Sequence, residues 1–269
     1  MKVLGCFKVV PDLELIVDED WMVQEQLEID TGYVKLVWNC FDESALEMML
    51  RLSDLSESLD VVYELSALTV GKQKHESFLK TLYALGFEHG IRICDEGGKL
   101  FLSEQVAEGI VQYVKTQAMQ DVIVTGVQSS DGSNSKVPYL LAEKLQWPCI
   151  PHVIGMEPVD ESHLKVISQV SGGQLEQVVK TPCVLAVGNA PCAYLRIPTL
   201  KDKMKLGKKP VEKILPEELG IQDIEASVTV VALNPVNRNR DTVLVKGNNP
   251  QEKAVRLYGD YLKRRLSGC

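Results

Sequence analysis

The stretch 121–151, DVIVTGVQSSDGSNSKVPYLLAEKLQWPCIP, decides the fold that the sequence predicts. It opens with an apolar run at 122–124 that is typical of a strand buried on both faces. A loop of small and polar residues follows at 126–135. Apolar residues then recur at spacings of one, three and four, which predicts a helix carrying Val137, Leu140, Leu141, Ala142 and Leu145 on one side.

The order strand, small-residue loop and helix suggests an anion-binding site. Such a loop directs backbone N–H groups and a helix N-terminus towards a negative charge. The stretch therefore favours a nucleotide phosphate lying on the loop. An ordinary connection built from turn-forming residues would have the same composition, so both interpretations stay open at this point.

Composition excludes several classes of protein. The 269 residues are 45% hydrophobic and 25% charged, which is typical of a globular chain. A net charge of −8 argues against a nucleic-acid partner. The 7 cysteines are scattered, odd in number and form no CxxC pair, so neither a disulfide framework nor a zinc site is predicted. No signal peptide or apolar run of membrane-spanning length occurs, and we expect a cytoplasmic protein without direct membrane insertion.

Strand and helix patterns alternate along the first two thirds of the chain. Strands are predicted at 3–10, 60–70, 90–94 and 122–124, and helices at 43–55, 72–85 and 103–119. A hairpin is predicted at 163–180 around Gly172-Gly173, followed by a last core strand at 181–188. These patterns predict an α/β fold: a doubly wound, mostly parallel sheet with helices on both faces, an antiparallel hairpin and a C-terminal arm.

Three predicted loops meet at one edge of this sheet. They follow the strands near Cys6, Val70 and Gly126, and ligands of parallel sheets bind beyond the carboxyl ends of the strands. Lys8 is unusual because charges are avoided in central strands. Its side chain either extends to solvent at the strand end or faces a ligand.

The last third of the chain has a different pattern. Basic residues are concentrated at 194–210, which indicates either a solvated surface or a docking surface for an acidic partner. Residues 211–248 show no strong periodicity and predict an extended arm. A final helix is predicted from Asn249-Pro250 to about Arg265. We therefore divide the chain into a nucleotide-binding α/β domain, 1–210, and an arm with a helix, 211–269, that packs on a partner subunit.

The sequence contains no recognisable catalytic constellation. The 4 histidines stand alone, and HExxH, GxSxG, Walker A and GxGxxG motifs are all missing. No catalytic or metal-ligating residue is therefore predicted. A binding or carrier subunit fits this pattern better than a hydrolase does.

Several short motifs follow one another in a specific order. They are VLGCFKVVPD at 3–12, NCFDESA at 39–45, ALTVG at 67–71, ALGF at 84–87, GVQSSDG at 126–132, RIPTL at 196–200 and MK at 204–205. Together they resemble the beta subunit of the electron-transfer flavoprotein over residues 2–219. In that family the beta subunit pairs with an alpha subunit that carries the redox-active FAD. The heterodimer passes electrons between a flavin-dependent dehydrogenase and an acceptor.

The resemblance also implies a nucleotide in this subunit. The beta subunit holds AMP in simple carriers and a second FAD in electron-bifurcating members. The implied cofactor-binding residues are Cys6, Lys8, Asp12, Asn39, Cys40, Phe41, Asp42, Val70, Gly126, Gln128, Ser129, Ser130, Asp131, Gly132, Ser133, Asn134, Ser135, Lys136 and Val137.

Some positions depart from the family pattern. Family members commonly have an acidic residue, glutamine and glycine where this chain has Ser133, Lys136 and Pro138. The resemblance implies that the loop at 189–195 recognises the dehydrogenase, and its sequence here is unlike the usual one. The segment 8–12 resembles bifurcating members, and a lysine near a flavin would stabilise its anionic reduced ring, so FAD is favoured over AMP. A stand-alone adenylating enzyme of the same fold is the alternative. Gln174 follows Ser171-Gly172-Gly173 where that motif needs an Asp-Ser pair soon after, which argues against such an enzyme.

Overall fold

The computed structural model describes residues 1–17, 21–23, 29–56, 61–96, 102–221, 231–234, 240 and 242–266. The strands are β1 (Lys2–Cys6), β2 (Val9–Pro11), β3 (Leu36–Trp38), β4 (Glu64–Gly71), β5 (His89–Cys94), β6 (Val122–Gly126), β7 (Cys149–Pro158), β8 (His163–Val170), β9 (Gly173–Lys180), β10 (Cys183–Val187) and β11 (Glu212–Ile214). The helices are α1 (Cys40–Ser56), α2 (Glu76–Leu85), α3 (Ser103–Thr116), α4 (Val137–Leu145), α5 (Leu200–Lys205), α6 (Pro250–Arg256) and α7 (Lys263–Leu266). A π-helical turn, Leu257–Leu262, joins α6 to α7.

A nine-stranded sheet of order β11-β5-β4-β1-β6-β10-β7-β8-β9 forms the centre of the molecule. Its strands pair in parallel from β11 to β7, and β8 and β9 add an antiparallel hairpin. Helices α1 and α2 pack Leu46 and Leu79 on one face, while α3 and α4 pack Ile110 and Leu141 on the other. The predicted α/β fold, the mostly parallel sheet and the hairpin are confirmed.

The single strand predicted at 3–10 is wrong, because the chain leaves the main sheet after Cys6. β2 pairs antiparallel with β3 in a separate two-stranded sheet. Between the two strands, the backbone N–H of Lys8 donates to Asp42 Oδ2 at 2.8 Å instead of to a strand neighbour. Lys8 therefore does not lie within a central strand, which removes the conflict between its charge and the buried sheet.

The region after Pro148 contains a strand, β7, that no pattern in the sequence predicts. β7 lies between β10 and β8 in the sheet, and β10 is not the last strand along the chain, because β11 follows it. The register between β10 and β7 shifts between Leu185 and Val187, opposite Pro151 and His152. A proline is tolerated at such a bulge, because the residue there does not have to donate an N–H to the neighbouring strand. Since proline usually argues against a central strand, Pro151 concealed β7 in the sequence.

The C-terminal part begins with an additional strand of the main sheet. β11 pairs with β5 beyond the boundary predicted at 210, and Ile214 and Leu219 are buried beside α3. The final helix starts as predicted, because the Asn249 side chain accepts a hydrogen bond from Glu252 N at 2.8 Å. No helix among the described residues is long and apolar enough to cross a membrane.

Candidate functional site

A cavity of about 300 Å³ opens at the carboxyl ends of β1, β4 and β6. This is the edge where ligands of open parallel sheets bind. Phe7, Val9, Pro11 and Leu36 line it beside the small sheet, and Val106 and Ile110 of α3 line it on the opposite face. The three strand ends predicted to meet therefore surround one cavity.

Most of the predicted site residues line this cavity. These are Cys6, Lys8, Asn39, Asp42, Val70, Gly126, Gln128, Ser129, Asn134, Ser135, Lys136 and Val137. Seven others lie nearby without lining it: Asp12, Cys40, Phe41, Ser130, Asp131, Gly132 and Ser133. Among the described residues no cluster of histidine, cysteine and acidic side chains could hold a metal ion.

The loop after β6 has an unusual backbone conformation. Ser133 and Ser135 adopt left-handed conformations, with φ of 47° and 52°. No hydrogen bond joins the N–H groups of Asn134, Ser135 and Lys136 to another residue in the described part of the chain. No side chain caps α4, which begins immediately after them. The loop therefore presents several N–H donors and a helix N-terminus together.

Two residues at the start of α1 hold this loop in place. Asp42 accepts hydrogen bonds from Gly126 N at 2.6 Å and from Lys8 N at 2.8 Å. The Asn39 amide donates to Gln128 O at 2.8 Å and accepts from Ser130 N at 3.1 Å. The two side chains therefore join the start of α1 to the end of β6 and to the loop that follows it.

Burial changes the ionisation of the groups beneath the loop. It raises the pKa of Asp42 to about 6, although the hydrogen bonds from Lys8, Asn39 and Gly126 act in the opposite direction. Burial and then the Asp42 carboxylate raise the pKa of the Cys6 thiol well above its ordinary value. Cys6 is therefore a neutral thiol at the cavity wall and not a nucleophile.

Gly126 has no side chain because none would fit. A Cβ at this position would lie 2.5 Å from Asp42 Oδ1 and 2.7 Å from Phe41 Cβ. The close approach of α1 to β6 therefore requires glycine. Phe41 and Asp42 shape the site through this contact.

Two lysines approach the loop from different sides. Lys8 lines the cavity, and its Nζ pairs with Asp131 at 2.8 Å. The Lys8 side chain lies at the cavity and is 39% exposed, so its position fits both interpretations made from the sequence. Lys136 Nζ pairs with Glu104 at 3.3 Å, which ties the loop to α3.

The opposite wall was not predicted as part of the site. It is the turn at 71–75, which contributes Gly71, Lys72, Lys74 and His75 to the lining. The turn directly follows the strand predicted to end near Val70. This position at a strand end could have identified the turn as part of the site.

Arg92 of β5 supports this turn. It is buried and donates to Gly71 O at 2.9 Å, to Glu76 at 3.1 Å and to Glu96 at 2.8 Å. The Glu96 carboxylate also accepts from Gln73 N at 3.0 Å. One buried cation therefore joins the end of β4, the turn and the start of α2.

Comparison with known families identifies the family to which the chain belongs. The family model described as "Electron transfer flavoprotein domain" matches residues 27–219, which include α1, the loop after β6 and most of the cavity lining. The chain belongs to the electron transfer flavoprotein family. Its role is accordingly in electron transfer, and the resemblance found from the sequence motifs is confirmed.

Three relatives illustrate this membership. The YgcR protein of Escherichia coli (strain K12), named as an electron transfer flavoprotein subunit, is 27% identical over 269 residues and 99% of each chain. The electron transfer flavoprotein subunit beta of Methylophilus methylotrophus is 25% identical over 82% of this chain and 81% of its own. The acryloyl-CoA reductase electron transfer subunit gamma of Anaerotignum propionicum is 26% identical over 78% of this chain and 76% of its own.

This electron transfer flavoprotein chain also exposes an apolar surface next to α1. The backbone N–H groups of Leu195 and Arg196 donate to Glu43 and Glu47, and the Arg196 guanidinium pairs with Glu47 at 2.9 Å. This anchored segment carries four highly exposed apolar side chains: Tyr194, Ile197, Leu200 and Met204. An exposed apolar group on a rigid support is typical of a contact surface.

Proposed function

We propose that this chain is the beta subunit of a heterodimeric electron transfer flavoprotein that binds an adenine nucleotide in the cavity at the ends of β1, β4 and β6. The observation that carries the proposal is the loop beside that cavity, whose N–H groups at Asn134, Ser135 and Lys136 have no hydrogen-bond partner within the described part of the chain. The heterodimer would pass electrons between a flavin-dependent dehydrogenase and an acceptor, in the cytoplasm.

The residues present fit a nucleotide. The N–H groups of Asn134, Ser135 and Lys136 would bind the phosphate at the start of α4, while Asn39 and Asp42 keep the loop in position. The apolar lining from Leu68, Val70 and Ile110 would exclude water from the rest of the ligand.

The nucleotide is either FAD or AMP, and we propose FAD. A bound flavin would supply one- and two-electron chemistry, whereas AMP has only a structural role. Lys8 places a positive charge at the cavity, which favours a ligand that gains negative charge on reduction. A further FAD would be carried by the alpha subunit.

Two exposed regions would serve the protein partners. We assign the final helix and the arm that precedes it to the alpha subunit, because the side chains from Lys253 to Leu266 are all exposed. We assign the apolar surface of Tyr194, Ile197, Leu200 and Met204 to the dehydrogenase.

Counting released cofactors tests this function. The complex is purified, denatured and analysed by chromatography for flavin and AMP. Two FAD per heterodimer is the expected result. One FAD with one AMP would contradict the flavin assignment in this subunit, and the absence of any nucleotide beyond the alpha subunit's FAD would contradict the site itself. Pyrophosphate release from ATP by the isolated chain would instead support an adenylating enzyme.

A further inference from the structure

His75 is a side chain of the cavity wall that the proposed function does not yet use. It lies in the turn at 71–75, on the side of the cavity away from the loop after β6. Its two ring nitrogens have different surroundings. Nδ1 is buried without a hydrogen-bond partner among the described residues. Nε2 is not among these buried atoms and has no hydrogen bond to a described residue.

The contact with Gly71 determines which nitrogen carries the proton. A Cβ built on Gly71 would lie 2.3 Å from His75 Nδ1, so the Cα–H that occupies this direction points at the nitrogen. The lone pair of an unprotonated Nδ1 can accept this weak C–H contact, whereas a proton on Nδ1 would clash with the Cα hydrogen of Gly71. The proton of a neutral ring therefore lies on Nε2.

The ring is neutral at neutral pH. Burial, followed by the charges of Lys74, Arg92 and Lys72, lowers the pKa of His75 to about 4. The turn thus holds a neutral imidazole that has one N–H donor, at Nε2. This donor faces away from Gly71.

The position of the turn indicates which part of a nucleotide lies there. β4 and β6 are separated by β1 in the sheet, so their ends are two strand spacings apart, roughly 10 Å. In a nucleoside monophosphate, the phosphate and the far edge of the base are separated by about this distance. A nucleotide whose phosphate lies on the loop after β6 would therefore place its base near the end of β4. The base of adenine presents ring nitrogens that accept hydrogen bonds.

We propose that His75 is a base-recognition residue, whose Nε2–H donates a hydrogen bond to a ring nitrogen of the bound adenine. This inference rests on the proposed function, because it requires an adenine nucleotide in the cavity. It adds a specificity-determining contact on the wall opposite the phosphate loop.

Calorimetric titration of AMP into the nucleotide-free complex tests the contact, because AMP shares its adenosine half with FAD. His75→Phe keeps a flat ring against Gly71 and removes the donor, so AMP should bind about 3- to 10-fold more weakly. His75→Gln, which restores an N–H donor, should recover part of the loss. His89→Phe, at an exposed histidine outside the cavity lining, should bind AMP like the unmodified protein.

Analogues identify the hydrogen bond itself. The 1-deaza, 3-deaza and 7-deaza analogues of AMP each lack one ring nitrogen. One of them should bind the unmodified complex more weakly than AMP does, and this difference should disappear in His75→Phe. An equal loss for AMP and all three analogues, or no loss at all, would overturn the inference and leave the nucleotide site intact. Failure of the unmodified complex to bind AMP or FAD would instead overturn the proposed function.

Discussion

The carboxylate of Asp42 accepts a hydrogen bond of 2.6 Å from the backbone N–H of Gly126, which lies 84 residues further along the chain. This bond joins the first turn of α1 to the end of β6. Because Asp42 also accepts from Lys8 N, a single side chain connects the ends of two adjacent strands beneath the cavity.

Replacement of Asp42 tests this connection. Asp42→Ala leaves the N–H groups of Lys8 and Gly126 without their acceptor, and we expect the free energy of unfolding to fall by about 2 kcal/mol. Nucleotide affinity should fall as well, because the loop after β6 loses its support. Urea unfolding measures the first effect and titration the second. Asp260→Ala, at an exposed position of the final helix, is the control, and an equal response of the two variants would contradict the prediction.

Asp42 and His75 should give opposite dependences of stability on pH. The pKa of Asp42 is raised from 3.8 to about 6, so the folded state holds this proton more tightly and stability falls as pH rises through that range. The pKa of His75 is lowered from 6.5 to about 4, so the folded state holds this proton less tightly and stability rises over the same range. The two contributions offset each other in the unmodified protein.

Variants separate the two contributions. Compared with the unmodified protein, Asp42→Asn should make stability rise more steeply with pH, and His75→Phe should make it rise less steeply or fall. Urea denaturation at several pH values between about 4 and 7 gives the slopes directly. Identical slopes in both variants would show that neither group titrates as described.

The fold and much of the site could be predicted because they depend on local patterns. The stretch 121–151 contains strand, loop and helix in one continuous segment, and parallel strands bring their ends to one edge. The hydrogen bonds from Asn39 to Gln128 and from Gly126 to Asp42 could not be predicted, since they join residues 89 and 84 positions apart in the sequence. The short strand β11 gave no periodic pattern, and the bulge at Pro151 concealed β7.

Arg92 should be the most sensitive charged residue of the opposite wall. Its side chain is only 4% exposed, and Arg92→Met removes the donor to Gly71 O and leaves the Glu76 carboxylate paired with the more distant Lys213 Nζ, at 3.5 Å. We expect a loss of about 3–5 kcal/mol in unfolding free energy. Arg51→Met is a matched control, because Arg51 is 55% exposed and should cost less than about 1 kcal/mol. If chemical denaturation gives comparable losses of unfolding free energy for Arg92→Met and Arg51→Met, burial of Arg92 does not explain its contribution.

The final helix should contribute to assembly and not to the stability of the chain itself. Val255, Tyr258 and Tyr261 are 72%, 52% and 43% exposed, so serine at these three positions should leave urea unfolding of the chain unchanged. The same variant should weaken the complex with the alpha subunit in size-exclusion chromatography after co-expression. Gln251→Ser, on the same helix, should have no effect. A complex of unchanged stability would assign the helix another role.

The basic segment should govern the rate of association with a dehydrogenase. Replacing Lys203, Lys205 and Lys208 with glutamine should slow association and weaken its salt dependence, since these side chains are exposed beside the apolar surface. Stopped-flow mixing at low and high salt measures both effects. The same change at Lys35, Lys115 and Lys180 provides a control of equal charge. If the association rates at low salt remain unchanged, the basic segment is a solvated surface and has no role in docking.

The order of the strands also constrains when the cavity can form during synthesis. Its lining residues all precede position 139, but β6 has its second neighbour in β10, at Cys183–Val187. A nascent chain that has emerged only as far as α4 already contains every side chain of the cavity and still lacks the strand that completes the sheet around β6. Competence to bind a ligand should therefore arise late, after a further forty or so residues have left the ribosome and β10 has paired.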